Sequence, residues 1–132
     1  MSKRILSSPR LSKPVGVFSQ ATMASTPGRM IFVSGLTARD STGKVVGVGD
    51  AGAQTRQVLE NLKAILAEGG ATLEDVVRVT VYIRNMADFK AIHEVRGQYF
   101  TANPPASTMV EVSRLVDEDM LIEIEATAVL GN

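Results

Sequence analysis

Two carboxylates spaced i and i+2, Glu123 and Glu125, sit in the run Leu121-Ile122-Glu123-Ile124-Glu125-Ala126. A strand alternates its side chains between two faces, so both carboxylates share one face and repel each other. Such a pair can do acid–base work, because repulsion lifts one pKa toward neutrality; solvation or a salt bridge is the ordinary alternative. His93 and Arg96 form a second candidate group, lying inside the apolar arc of a helix. Polar residues there are costly unless the arc borders a pocket or an interface. In the alternative, Arg96 snorkels to water and His93 makes one hydrogen bond at the rim. The third place is Ser34-Gly35, where glycine at a strand end serves a turn or lets a ligand approach backbone N–H groups. The fourth is Pro104-Pro105-Ala106-Ser107-Thr108, a rigid lead into a strand that presents small hydroxyls. The chain has no Ser–His–Asp order, phosphate loop or dinucleotide fingerprint.

The elements that must position these groups follow from periodicity and punctuation. Pro9, Pro14 and Gly16 make the first 25 residues irregular, with an edge strand at 4–6 and a further strand over 17–24. Residues 30–34 read as a buried strand ending at Gly35, and Asp40-Ser41-Thr42-Gly43 as a reversal. Asp50 caps a helix that runs to about Glu68, with Val58, Leu59, Leu62, Ile65 and Leu66 in one stripe and Gly69-Gly70 as the stop. A capped single turn follows at 72–75. Residues 76–83 alternate, with Val77, Val79, Val81 and Ile83 facing one way and Arg78, Thr80 and Tyr82 the other. Asn85 caps a second helix over 86–100, with Asp88 completing a capping box and Met86, Phe89, Ile92, Val95, Tyr99 and Phe100 in its arc. Strands at 107–112 and 121–129, joined by Asp117-Glu118-Asp119, complete the chain. The order predicts one α+β domain over 1–132, a sheet with two helices on one face. Its second face, with Val76, Thr80 and Tyr82, is too apolar to be simply solvated, and oligomerisation would cover it.

Composition narrows the function. Fourteen basic residues balance fourteen acidic ones, which gives no electrostatic footprint for nucleic acid or an anionic membrane. The chain has no cysteine and a single histidine, which excludes disulfides and thiolate chemistry and disfavours a protein-built zinc site. No apolar run approaches the roughly 20 residues of a membrane span, and no secretory h-region follows the basic Met1-Ser2-Lys3-Arg4. The cytoplasm is the expected location.

Several runs, in order, resemble the RidA/YjgF family of reactive-intermediate deaminases. Gly16-Val17-Phe18-Ser19-Gln20 resembles the family's Gly-Pro-Tyr-Ser-Gln, and Ile31-Phe32-Val33-Ser34-Gly35 its strand ending in Ser-Gly. The run from Gln54 to Leu66 is similar to its first helix, and Val79–Ile83 to its central strand. The specific end is Pro105-Ala106-Ser107-Thr108 with Val110-Glu111-Val112, then Ile122-Glu123-Ile124-Glu125-Ala126. The resemblance implies a chorismate-mutase-like fold with a mixed sheet, a homotrimer with three interface clefts, and hydrolysis of enamines and imines without cofactor or metal. It implies Glu123 as the water-positioning residue, with Ser34, Gly35, Ser107, Thr108 and Met109 around the ligand.

The chain also departs from that pattern. The family's carboxylate-clamping arginine falls on Ser107, its N-terminal tyrosine on Phe18, an asparagine of its second helix on His93 and a tyrosine on Arg96. Loss of the clamp removes a charge-assisted contact of roughly 1.5–3 kcal/mol. The expected ligand is therefore a small anionic molecule other than a simple 2-imino acid, with Arg96, beside His93, supplying the positive charge from another wall. A trimer that binds a carboxylate without chemistry is the competing expectation; ribonuclease activity, attached to some relatives, fits the neutral charge poorly.

Overall fold

Asp50, itself extended after a glycine-rich turn, accepts a hydrogen bond on its carboxylate from Ala53 N at 3.0 Å, so helix α1 (Ala51–Glu68) starts where a side chain satisfies its first turn. It stops at Gly69-Gly70, where Gly70 takes φ +78° and Ala71 N bonds back to Leu66 O at 2.9 Å. Val58, Leu59, Leu62 and Leu66 are fully buried along one stripe; Ile65, expected with them, is exposed.

The computed structural model describes residues 3–9, 14, 16–24 and 28–131. Met1, Ser2 and positions 10–13 of the irregular leading stretch lie outside the described residues. Six strands are present among those described: β1 (Lys3–Leu6), β2 (Ala21–Ala24), β3 (Arg29–Leu36), β4 (Val76–Ile83), β5 (Ala106–Glu111) and β6 (Ile122–Leu130). Helix α2 (Phe89–Tyr99) connects β4 to β5, which pair in parallel, a geometry that needs such a crossover. The main sheet has the order β3-β6-β4-β5, with β6 antiparallel to both of its neighbours. Strands β5 and β6, consecutive in sequence, are therefore separated by β4.

Both helices cover one face of this sheet. Val79, Val81, Ile83, Ile122, Ile124 and Ala126 pack there with the α1 stripe and with Ile92 and Val95 of α2. One expectation is corrected. The register between β4 and β6 shifts between Val76 and Arg78, and this bulge turns Val76 into the core in place of Val77. Helix 86–100 also begins differently. Met86–Asp88 is a 3₁₀ turn capped by Asn85, whose side chain accepts from Ala87 N at 2.9 Å; the α-helix proper starts at Phe89. Met86 and Phe89 are correspondingly exposed.

Strands β1 and β2 form a separate antiparallel ribbon. Lys3 ties it to the main sheet, donating to Val76 O (2.8 Å) and Asn103 O (2.9 Å); Thr22 donates to Val77 O (2.8 Å). Burial pulls the Lys3 ammonium below its usual pKa, opposed by Glu74 and Asp75.

Gln54 holds the start of β6 in place. It is 0% exposed and uses both ends of its amide: Nε2 donates to Asp119 O (2.7 Å) and Gly47 O (3.2 Å), and Oε1 accepts from Leu121 N (2.8 Å). Replacing it removes the side-chain partner of two part-buried backbone groups, Asp119 O and Leu121 N, while Gly47 O keeps its bond from Asp50 N. Gln54→Ala is expected to lower stability by about 2–4 kcal/mol in urea unfolding, through lost hydrogen bonds and the void left behind; a loss under about 0.5 kcal/mol would mean that water replaces the amide.

Candidate active site

Strand alternation divides the chemistry-bearing residues between the two faces of the sheet. On β6, Ile122, Ile124 and Ala126 point to the helices, so Glu123 and Glu125 point to the opposite, outer face. The repulsion between them is relieved unequally. Tyr82, on β4, donates its hydroxyl to Glu125 Oε1 at 2.6 Å, and that bond raises the Tyr82 pKa. Glu123 has no hydrogen-bond or ion-pair partner among the described residues. Its side chain is partly buried against Gly35.

The shape of β3 makes that contact possible. Ser34 and Gly35 together oppose the single residue Glu125, a bulge between Val33 and Leu36. A Cβ built on Gly35 would come within 2.8 Å of Glu123 Cδ and closer still to its carboxylate. Glycine thus leaves room for the Glu123 side chain, which would have to swing away from a β-carbon at this position. Ser34, beside it, is exposed.

The remaining expected residues gather on the helix side, at the β5 edge. Ser107 and Met109 pair with Val79 and Val81 in the parallel register and so share their face. With Gly16, Val17, Phe18, Phe89, His93 and Arg96 they line a pocket of about 180 Å³. The segment 16–19 is fixed there because Ser19 N donates to Pro105 O (3.0 Å) and the Ser19 hydroxyl bonds to Pro104 O. Phe89 and His93, one helical turn apart, stack with ring centroids 5.5 Å apart and an interplanar angle of 8°. Thr108, next to Ser107, falls on the outer face and is exposed.

Arg96 is the unusual member. It is 4% exposed and points at Ser107, donating from Nη2 to Ser107 Oγ (2.8 Å) and to Val17 O (3.3 Å). Its buried Nε has no partner, and no carboxylate lies within ion-pair reach, among the described residues. Desolvation brings its pKa down to about 10, so it is still a cation at neutral pH.

The structure thus forms two groups. Phe18, His93, Arg96, Ser107 and Met109 come together in the pocket; Ser34, Gly35 and Glu123 come together on the outer face. Within one chain the sheet separates them. Sequence reasoning passed over Val17 and Phe89 as lining residues, and also Tyr82 as the partner of Glu125. Tyr82 lies opposite Glu123 and diagonal to Glu125 in the register of β4 and β6, a long-range pairing that local periodicity does not mark.

The model of the family described as Endoribonuclease L-PSP matches residues 9–130. The chain belongs to the Rid (YjgF/RidA) family. A RutC family protein of Pyrococcus abyssi is 46% identical to this Rid-family chain over 129 residues, covering 97% of it and 98% of the relative. The 3-aminoacrylate deaminase RutC of Acinetobacter baylyi is 40% identical over 128 residues, covering 97% and 98%. Among solved structures, the Rid family protein YyfB of Yersinia pestis matches with a TM-score of 0.92 at 38% identity, covering 98% of this chain and all (100%) of that one. The α+β fold expected from the resemblance, a mixed sheet with two helices on one face, is the fold of these Rid neighbours.

The Gly35–Glu123 contact can be isolated energetically. Gly35→Ala is expected to cost about 0.5–1.5 kcal/mol, because the new methyl forces the Glu123 side chain out of its rotamer. In a Glu123→Ala background the same change should become neutral or slightly stabilising, as a double-mutant cycle by chemical denaturation would measure. An equal cost in both backgrounds would place the clash elsewhere.

Proposed function

We propose that this Rid-family chain is a cofactor-independent hydrolytic deaminase of enamine and imine metabolites, with a pocket altered so that its substrate is not a simple 2-imino acid. The carrying observation is the Glu123 carboxylate: partly buried, lying against Gly35, and without a hydrogen-bond or ion-pair partner among the described residues, Tyr82 engaging Glu125 instead. A carboxylate so placed can accept a proton from water as the water oxygen bonds to the imine carbon. The C=N π pair moves to nitrogen, which takes that proton to give a carbinolamine; the carbinolamine hydroxyl then gives up its own proton, which also reaches the nitrogen, the C–N bond breaks, and ammonia leaves behind a carbonyl product. The likeness to a relative named as a 3-aminoacrylate deaminase supports the reaction class.

The homotrimer implied by the resemblance supplies the missing proximity. The pocket, at about 180 Å³, is smaller than the roughly 300–1,000 Å³ of complete small-molecule sites, as a half-site would be. The outer face carries Phe32, 74% exposed, with Met30 and Val110 also exposed, an apolar surface that a second copy would cover. In this reading Glu123 and Gly35 of one subunit meet the Arg96–Ser107 pocket of its neighbour. A binder that kept the assembly and lost the chemistry is favoured by one observation, the serine at 107 in place of the family's arginine.

Ammonia release from a panel of enamines and imines decides between the two. Glu123→Gln should slow release by roughly 10²–10⁴-fold while the trimer persists in analytical ultracentrifugation. Equal inertness of wild type and variant, with carboxylate binding retained, would establish the binder.

A further inference from the structure

We infer that Arg96 is the specificity-determining residue of the pocket and selects a planar, apolar-bodied carboxylate, an aromatic or conjugated acid, over small aliphatic acids. This deepens the deaminase reading and rests on it only in taking the pocket as the substrate's half of the cleft.

The electrostatic part comes from an incomplete set of partners. A guanidinium presents five N–H donors. Here one nitrogen serves two neutral acceptors, Val17 O and Ser107 Oγ, and the buried Nε serves none among the described residues. Buried cations are ordinarily paired with anions. Among the described residues the nearest elements offer Arg96 no carboxylate: Gly16, Val17 and Phe18 from the N-terminal segment, Ser107 and Met109 from β5, and His93 from its own helix. The pocket is therefore cationic with an unanswered charge. The Ser107 and Val17 contacts hold the fork in place before a ligand arrives, which cuts the ordering cost of binding.

The shape of the ligand follows from the walls. Phe18 and the parallel Phe89–His93 pair are flat π-surfaces, with Val17 and Met109 as apolar fill. Phe89 leaves 41% of its surface exposed at the start of α2. A flat conjugated body stacks on such walls and dries them. A small aliphatic acid would satisfy Arg96 and leave the rings wet; a neutral aromatic would dry the rings and leave Arg96 unpaired. The volume of about 180 Å³ has room for one ring or a short conjugated chain.

The test is isothermal titration of the full-length protein with trans-cinnamate, its neutral isostere trans-cinnamamide, and pyruvate. Cinnamate should bind roughly 10- to 100-fold tighter than cinnamamide, the factor of one charge-assisted contact, and tighter than pyruvate. Arg96→Met should bring cinnamate down to the affinity of cinnamamide; Arg96→Lys, which keeps charge without the fork, should retain part of the preference. Equal binding of acid and amide by wild type, pyruvate binding as tightly as cinnamate, or an undiminished preference in Arg96→Met would each overturn the inference. If Arg96→Met does not fold, the three-ligand comparison on wild type and Arg96→Lys decides. Failure here is distinguishable from failure of the deaminase reading, which is read from ammonia release by Glu123→Gln. An intact cinnamate preference with Glu123-independent release would sink that reading alone.

Discussion

Strand β6 is hydrogen-bonded on both sides, to β3 and to β4, and its two faces have opposite chemistry. Ile122, Ile124, Ala126, Ala128 and Leu130 enter the core; Glu123, Glu125 and Thr127 cannot follow them without a register slip that would bury the carboxylates. That constraint makes the outer position of Glu123 non-negotiable, and the bulge at Ser34-Gly35 answers it by clearing room for the carboxylate. Gln54 secures the same strand from behind, through Asp119 and Leu121 at the point where β6 begins.

The helix-side pocket follows a different logic. Its cation is anchored by neutral contacts and faces no counter-charge among the described residues, so it is less favourable than an apolar residue would be at the same place. Such an arrangement makes physical sense where a ligand completes it. Ser107 orients Arg96 rather than competing with it, since a hydroxyl can accept what a second guanidinium could not. The positive charge is thus carried by α2, with β5 in the supporting role.

Most of the architecture was legible in the sequence. Helix α1 could be read from Asp50 to Glu68 because cap, stripe and glycine stop agree, and β4 was bounded at Val76–Ile83 by its valines. The phase of β4 was not, since adjacent Val76 and Val77 give no signal of which one a bulge turns inward. Gln54 was readable in principle: it lies four residues before Val58 on the buried ladder that continues to Leu62 and Leu66, where a polar side chain must find partners. The division of the candidate site between two faces follows from alternation for Glu123. For Ser107 it depends on β5 pairing in parallel with β4, and long-range pairing of that kind leaves no mark in local periodicity.

The proposed site, divided by the sheet within each chain and joined between the subunits of a trimer, makes a demand that a single-chain site does not. Trimers reassembled from an equal mixture of Glu123→Gln and Arg96→Met subunits should release ammonia at about a quarter of the wild-type rate, because random pairing reunites an intact Glu123 face with an intact Arg96 pocket in about one cleft of four. Homotrimers of either variant alone should be far slower. A mixture no faster than its parents would contradict the account, since that is the behaviour of a site contained in one subunit.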